Sequence, residues 1–122
     1  MKIGNFNLFI MAELSANHNG SLDTALDTVV AAKEAGANAI KIQTYTPDTI
    51  TLDSDKEDFI IKGGTPWDNQ RLYDLYEEAH LPWEWHDAIF KHARKIGIDI
   101  FSSPFDKSAV DFLERFNPSA YK

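Results

Sequence analysis

Polar and charged side chains that could bind an anion stand at the ends of three apolar segments. Glu13 lies near the end of the run from Leu8 to Leu14, and Lys41 and Gln43 end a second run. A third run ends at Ser103, just before a proline. A strand that ends in a polar group and leads into a helix is typical of βα-barrels, whose chemistry takes place at those strand ends. The spacing therefore predicts a binding site where these segments end.

Lys41 is expected to point away from the helices that would cover its strand. In the segment Ala39–Gln43, alternation places Lys41 and Gln43 on one face and two isoleucines on the other. A buried ammonium group is costly unless it is paired, so Lys41 needs an anion. Glu13 on the neighbouring strand could supply it as a purely structural ion pair, or a bound anionic ligand could supply it. We favour the ligand.

Ser102 and Ser103 precede Pro104 at the end of the third apolar segment. Two interpretations stay open for them. They could simply mark the transition from a strand to a turn. Alternatively, their hydroxyls could hold phosphate oxygens, because hydroxyl groups beside a backbone turn commonly do so.

Four histidines raise the question of a local metal site. His86 and His92 are six residues apart, a spacing that does not align them on one face of a helix. His80 is expected at a helix end, where a cation suits the helix dipole. His18 lies in a loop at the predicted binding end, but it would be a single ligand there. The sequence therefore predicts no metal site built from these four residues.

The elements that would position these side chains alternate between strand and helix. Strands are predicted at 8–14, 39–43, 98–103 and 120–122, and helices at 21–36, 70–79, 82–97 and 106–116. Ser21, Asp106 and the segment Trp67–Asn69 are expected to cap helices, and Val110 is expected to face the core. The irregular segment from Thr44 to Thr65 would lie on the binding side of the sheet. This alternation predicts a parallel sheet with right-handed crossover helices.

The length of the chain limits how much of a barrel it can form. An eight-stranded βα-barrel takes roughly 250 residues, whereas this chain has 122. Four parallel strands alone would leave two open edges. We therefore expect an α/β fold in which residues 1–122 form the N-terminal half of a (β/α)8 TIM barrel, with the rest of the barrel absent from this chain.

The composition excludes several classes of function. Lys and Arg number 12 against 19 Asp and Glu, which gives a net charge of −7 and argues against nucleic acid or an anionic membrane as a partner. No apolar stretch approaches the length of a membrane span, and the N-terminus does not resemble a signal peptide. The chain has no cysteine, which excludes thiolate chemistry and fits a cytoplasmic protein.

Four motifs resemble the N-terminal half of the sialic acid synthase family. They occur in the family's order: Ala12–Gly20, Lys41–Gln43, Ser102–Asp106 and Ala120–Lys122. Further segments resemble the branch of the family that forms pseudaminic acid: 45–48, 52–56, 63–68, 72–79 and 82–85. Enzymes of this family condense phosphoenolpyruvate with an N-acetylated sugar aldehyde and release phosphate. The resemblance implies a carbon–carbon bond-forming transferase that makes pseudaminic acid, or alternatively N-acetylneuraminic or legionaminic acid.

The resemblance also implies roles for five residues. Lys41, Ser103 and Lys122 would bind phosphoenolpyruvate. Gln43 and Glu13 would contact the N-acetylated amino sugar, with Glu13 in a catalytic role that orients a hydroxyl or takes a proton.

Other features of the family would lie outside this chain. A divalent cation of the Mn, Mg or Co type would be held by two histidines in later barrel strands, and a C-terminal antifreeze-like domain and a homodimer are implied for the full-length enzyme. Residues 1–122 alone are then expected to be inactive. A hypothesis from another class is a truncated, non-catalytic half-barrel that binds only an anion or a partner.

Overall fold

The computed structural model describes residues 8–122. Three parallel strands form one sheet in the order β1 (Met11–Glu13), β2 (Ala39–Thr44) and β3 (Asp99–Pro104). The helices are α1 (Leu22–Glu34), α2 (Pro47–Ile50), α3 (Leu72–Ala79), α4 (His86–Ile96) and α5 (Lys107–Leu113). Short 3₁₀ turns occur at Glu57–Phe59, Trp83–Trp85 and Glu114–Phe116. The predicted parallel sheet with crossover helices is therefore present.

The helix ends follow local signals in the sequence. The Ser21 hydroxyl accepts a hydrogen bond from the amide of Thr24 at 3.2 Å, which caps α1. Asp106 caps α5 in the same way by accepting the amides of Ser108 and Ala109. Gly97 ends α4 with a φ of 74°, a left-handed conformation that glycine adopts without strain. The predicted caps at positions 21 and 106 are confirmed.

The predicted cap at Trp67–Asn69 is wrong. The Asp68 carboxylate accepts hydrogen bonds from the amides of Gly64 and Thr65, each at 2.9 Å, so it closes its own loop. Helix α3 begins at Leu72 and has no side-chain cap. An aspartate satisfies whichever nearby amides point towards it, and here these belong to the preceding turn.

The core lies between the sheet and the helices. Ile40 and Ile42 on β2 and Ile100 on β3 face the helices and are 0%, 0% and 4% exposed. They belong to a buried cluster with residues from α1, α4 and α5: Ala25, Val29, Ile89, Phe90, Ala93 and Leu113. Val110 was expected to face the core but is 36% exposed. Ala109 and Leu113, four residues apart, form the buried face of α5 instead.

The two outermost strands are shorter than predicted. β1 covers three residues, and the exposed Leu8 and Ile10 lie outside its ladder with β2. The predicted fourth strand is reduced to one parallel bridge between Ser102 and Tyr121. The amide of Lys122 donates to the carbonyl of Ser102 at 3.1 Å, so the final residues lie beside β3 as expected. Within residues 8–122, no helix is long and apolar enough to cross a membrane.

Candidate functional site

The face of the sheet opposite the helices carries four of the five predicted site residues. In the β1–β2 ladder Glu13 lies opposite Lys41, and in the β2–β3 ladder Gln43 lies opposite Ser103. Side chains alternate along each strand, so residues opposite each other in register share a face. The predicted division of β2 into an isoleucine face and a Lys–Gln face is confirmed.

Lys41 and Glu13 form an ion pair across the two strands. The Nζ atom of Lys41 is 3.1 Å from an Oε atom of Glu13, and the two side chains are 3% and 53% exposed. The hydrogen bond and the charge of Lys41 lower the pKa of Glu13, and the charge of Lys122 adds to this effect. Glu13 is therefore ionised at neutral pH. The ion pair that we considered as one alternative is present, and the binding of an anionic ligand by Lys41 stays a prediction.

Lys122 lies near Glu13 because its backbone is hydrogen-bonded to β3. Its amide is hydrogen-bonded to Ser102 on β3, which follows Phe101 and precedes Ser103. The ammonium charge is close enough to lower the pKa of Glu13. Two lysine charges therefore act on the half-exposed carboxylate of Glu13 at this face.

The neighbouring serines of β3 have different environments. The Ser103 hydroxyl is buried and has no hydrogen-bond partner among residues 8–122. The Ser102 hydroxyl lies 2.7 Å from that of Thr44 on the helix side of the sheet. An unpartnered buried hydroxyl is uncommon and costly. Of the two hydroxyls, that of Ser103 is therefore the one available to a ligand, and its binding of phosphate oxygens stays a prediction.

A buried hydrogen-bond chain behind the site was missed by the sequence analysis. His86 on α4 lies 3.3 Å through Nδ1 from the carbonyl of Pro82 and 2.9 Å through Nε2 from the Thr44 hydroxyl, which contacts Ser102. The carbonyl only accepts, so Nδ1 carries the proton and Nε2 accepts from Thr44. Burial lowers the pKa of His86 to about 4, which keeps the ring neutral. The chain ties the start of α4 to the ends of β2 and β3.

A signal for this chain was present in the sequence. Thr44 continues the alternation of β2 on the same face as Ile42, which places a hydroxyl in the core. A buried hydroxyl needs a partner. His86, considered above only as a metal ligand, is the partner of this hydroxyl.

His18 has a structural environment. Its Nδ1 atom accepts from the amide of Gly20 at 3.1 Å, and its Nε2 atom lies 3.2 Å from the carbonyl of Ala79, to which it donates. The ring meets Trp85 edge-on with centroids 5.5 Å apart. Within the described range, 8–122, no group of three or more His, Cys, Asp or Glu residues is placed to hold a metal ion. These residues do not form the metal site that the resemblance implies for the full-length enzyme.

A cleft of about 660 Å³ opens beside Gln43, between the end of β2 and α3. This volume is within the range of small-molecule sites. Its walls are mainly aromatic and aliphatic, and the lining residues are Ala16, Gln43, Tyr45, Thr49, Ile50, Trp67, Leu75, Tyr76, Ala79 and Phe105. Three of these ten residues, Tyr45, Thr49 and Ile50, belong to the segment Thr44–Thr65, which was predicted to lie on the binding side.

Comparison with known proteins gives the family. Residues 28–122 match the sequence profile of the NeuB family. The chain belongs to the NeuB family. It is 64% identical over 126 aligned residues to a pseudaminic acid synthase of Campylobacter jejuni, a match that covers 100% of this chain and 36% of the relative. It is 50% identical over 113 residues to the pseudaminic acid synthase of Helicobacter pylori, covering 93% of this chain and 33% of the relative. The predicted family is confirmed.

A solved structure supports the fold. The crystal structure of N-acetylneuraminic acid (sialic acid) synthetase from Leptospira borgpetersenii, in complex with citrate, superimposes with a TM-score of 0.76 and 25% sequence identity. The match covers 99% of this chain and 39% of that one. The predicted fold is confirmed as a three-stranded parallel sheet with helices, consistent with the N-terminal part of a (β/α)8 barrel. This NeuB chain spans about a third of the length of the curated relatives it matches.

Proposed function

We propose that the protein carrying this NeuB chain condenses phosphoenolpyruvate with an N-acetylated amino sugar, releases phosphate and forms pseudaminic acid. The product is inferred from the 64% identity to a pseudaminic acid synthase. The observation that carries the reaction is the position of Lys41. Its side chain is almost fully buried on β2, and its partner carboxylate remains half-exposed.

The charges of the site suit a multiply anionic donor. Phosphoenolpyruvate carries a carboxylate and a phosphate, and Lys41 and Lys122 supply two positive charges on one face of the sheet. The Ser103 hydroxyl, which has no partner within residues 8–122, can donate to an oxygen of the same ligand. Charge-assisted hydrogen bonds of this kind are the strongest that side chains form with phosphate.

The reaction needs groups that handle protons as well as charge. The alkene carbon of phosphoenolpyruvate forms a bond to the aldehyde carbon of the open-chain sugar. Water adds to the phosphate-bearing carbon, and phosphate leaves with cleavage of the carbon–oxygen bond. Glu13 is ionised beside Lys41, so its carboxylate can accept a proton or orient a hydroxyl of the sugar. The Gln43 amide, which lines the cleft, can hydrogen-bond the same sugar.

This chain would supply only part of the catalytic machinery. The remaining barrel strands, the C-terminal antifreeze-like domain, the divalent metal ligands and the surface for a second copy are proposed to belong to other parts of the full-length protein. The role assigned to residues 1–122 is to bind phosphoenolpyruvate and one side of the acceptor sugar.

The test is phosphate release by the full-length protein. It would be incubated with phosphoenolpyruvate and, separately, with 2,4-diacetamido-2,4,6-trideoxy-altrose and N-acetylmannosamine. Turnover with the deoxy sugar supports the proposal. Strong turnover with N-acetylmannosamine and none with the deoxy sugar would contradict formation of pseudaminic acid, and no phosphate release with either sugar would contradict the reaction.

A further inference from the structure

The loop between β1 and α1 holds a serine in an unusual backbone conformation. Ser15 has a φ of 48°, in the left-handed region that few residues other than glycine and asparagine adopt. The other non-glycine residues with positive φ within residues 8–122 are all asparagines. Such a conformation persists only where the surrounding contacts fix it, and it occurs often at functional sites. Ser15 follows Glu13, the proposed proton acceptor, by two residues.

The Ser15 hydroxyl contacts the Glu13 carboxylate. Its Oγ atom donates to Oε2 of Glu13 at 3.4 Å, whereas Lys41 binds the other oxygen, Oε1, at 3.1 Å. The carboxylate is therefore held at both oxygens, although the Glu13 side chain is 53% exposed. A hydrogen bond of 3.4 Å is longer than usual, so a small movement of the loop would break it.

The N-terminal end of this loop is fixed to the core. Leu14 is fully buried, and its carbonyl accepts two hydrogen bonds from Asn17. One comes from the backbone amide of Asn17 at 3.0 Å and the other from its side-chain Nδ2 at 2.9 Å. This turn fixes the chain immediately before Ser15.

His18 ties the far end of the loop to α3. Its side chain is 2% exposed, and its Nε2 atom donates at 3.2 Å to the carbonyl of Ala79, the last residue of α3. Carbonyls in the last turn of a helix have no partner within the helix and carry partial negative charge, so an N–H donor is favourable there. Among the side chains of residues 15–20, only that of His18 hydrogen-bonds a residue outside 13–21 in the described part of the chain.

We propose that His18 is a positioning residue for the reaction: by tying the loop to α3 it holds Ser15 in the left-handed conformation from which the Ser15 hydroxyl orients the Glu13 carboxylate. This inference rests on the proposed function and deepens it, because it assigns the orientation of the proton acceptor to a buried histidine. Both ring nitrogens of His18 are used by backbone groups of the protein. A misplacement of about 1 Å in a reacting group can lower the rate by about a hundredfold.

Two substitutions separate the two hydrogen bonds of His18. In His18→Gln the side-chain amide can reach the position of Nε2 and donate to the Ala79 carbonyl. In His18→Asn the side-chain oxygen takes the position of Nδ1 and can accept from the Gly20 amide, but the tie to α3 is lost. Both variants lose the edge-on contact with Trp85, so the difference between them isolates the hydrogen bond to Ala79.

The experiment measures these variants in the full-length protein together with Ser15→Ala, which removes only a hydroxyl from a half-buried residue. His92→Gln is the matched control, because His92 is a partly buried histidine of α4 that lies outside the loop. Phosphate release with 2,4-diacetamido-2,4,6-trideoxy-altrose gives kcat, its pH profile and KM for phosphoenolpyruvate. Urea unfolding of each variant measures its stability separately.

We expect His18→Asn and Ser15→Ala to lower kcat by about tenfold or more, with KM for phosphoenolpyruvate within about twofold of the wild type. His18→Gln should keep most of kcat, and His92→Gln should leave it unchanged. The hydrogen bond and charge of Lys41 lower the pKa of Glu13 most, and the charge of Lys122 and the Ser15 hydroxyl add to this effect. The acid limb of kcat should therefore move to higher pH in His18→Asn and Ser15→Ala.

A purely structural role for His18 would lower the stability of His18→Asn but leave kcat and the acid limb of the folded protein unchanged, and this outcome would overturn the inference. An unchanged kcat in Ser15→Ala would also overturn it, whether or not His18→Asn folds. Equal losses of kcat in His18→Gln and His18→Asn would contradict the role of the tie to Ala79. In each of these cases an active wild type leaves the proposed function standing. If the wild type releases no phosphate with the deoxy sugar or with N-acetylmannosamine, the proposed function fails and this inference fails with it.

Discussion

Glu13 and Lys41 form an ion pair in which only the lysine is buried. The side chains are 3% exposed for Lys41 and 53% for Glu13, with 3.1 Å between the charged atoms. The lysine has already lost most of its hydration, whereas the glutamate can turn into water at little cost. An anionic ligand can therefore replace or join the carboxylate at Lys41 without further burial of the ammonium group.

The first prediction concerns the charge of Lys41. Lys41→Met keeps the length of the side chain and removes its charge, so we expect KM for phosphoenolpyruvate to rise in the full-length protein. A hydrogen bond between charged groups contributes roughly 1.5 to 3 kcal/mol, which corresponds to about a ten- to a hundredfold loss of affinity. Lys41→Arg should not restore binding fully, because a planar guanidinium replaces a compact charge.

The matched control for this substitution is Lys107→Met. Lys107 is 86% exposed and pairs with Asp111 one helical turn away on α5, so its removal should leave KM unchanged. An unchanged KM for phosphoenolpyruvate in Lys41→Met and Lys41→Arg would show that Lys41 serves only the ion pair with Glu13.

The second prediction concerns the pH dependence of turnover. Lys41 lowers the pKa of Glu13, so the carboxylate stays ionised to lower pH than an ordinary glutamate. If ionised Glu13 is needed, kcat should fall on the acid side of its pH profile at a pH below the usual pKa range of glutamate. In Lys41→Met this acid limb should move to higher pH. Glu13→Gln should abolish this limb and lower kcat. A limb at the same pH in the wild type and in Lys41→Met would argue against Glu13 as its source.

The third prediction separates the two serines of β3. Ser102→Ala removes the hydroxyl that contacts Thr44 in the buried chain, so the free energy of unfolding should fall by about 1 to 3 kcal/mol. Ser103→Ala removes a buried hydroxyl without a partner in the described part of the chain, so stability should be unchanged or slightly higher. The kinetic effects should be the reverse, with KM for phosphoenolpyruvate raised only in Ser103→Ala.

Chemical denaturation and steady-state kinetics on the same two proteins measure both effects. Each serine variant is the control for the other, since the residues are adjacent and the substitution is identical. Equal effects of the two substitutions on stability, or on KM, would contradict the assignment of the hydroxyls to opposite faces of the sheet.

The fourth prediction follows from the neutral, buried His86. Its pKa is about 4 in the folded chain and 6.5 in a free histidine, so as the pH falls the unfolded chain binds a proton first. The free energy of unfolding is therefore unaffected by the titration of His86 above about pH 6.5. It decreases progressively as the pH falls to about 4. The full difference corresponds to about 3 kcal/mol, of which about 2 kcal/mol should be lost at pH 5.

Urea unfolding of the full-length protein at pH 7 and pH 5 measures this loss. Other groups also titrate in this interval, so the relevant quantity is the difference between the wild type and His86→Gln, which has no titrating group at this position. The wild type should lose more stability than His86→Gln on acidification. Identical losses would mean that His86 can be protonated within the folded chain.

The fifth prediction concerns residues 1–122 on their own. Leu8, Ile10 and Met11 are 71%, 50% and 43% exposed, and among residues 8–122 β1 is paired on one side only. An open edge of a parallel sheet flanked by exposed apolar side chains promotes association. We expect the isolated 13.8 kDa chain to associate in light scattering. A monomer of that mass with a cooperative melting transition would show that these residues close their own core.

The features that could be predicted from the sequence were those set by local periodicity and local capping. Alternation along β2 was enough to assign Lys41 and Gln43 to one face and the two isoleucines to the other. Ser21 and Asp106 satisfy amides two or three residues away, so their roles could be read from the sequence. Asp68 has the same chemistry but amides on both sides, and only the folded loop decides which of them it binds.

The features that could not be predicted depend on contacts between distant residues. His86 and Thr44 are 42 residues apart, and Thr44 and Ser102 are 58 apart. The pairing of these side chains is fixed by the crossover of α4 onto the sheet, which no local pattern specifies. The cleft has the same origin, because its walls come from the end of β2, a loop and α3. Arg71 connects part of this region by donating to Asp53 at 2.7 Å and to Asp74 on α3 at 2.6 Å.

The opposite orientation of neighbouring residues at the ends of β2 and β3 has an evolutionary consequence. Gln43 and Ser103 face the proposed substrate, whereas Thr44 and Ser102, next to them in the chain, belong to the buried network with His86. A mutation of Gln43 or Ser103 alters what can bind and leaves the network intact. A duplicated gene can therefore diverge towards a new acceptor by substitutions at these positions, while the hydrogen bonds that hold the two strands to α4 are inherited unchanged.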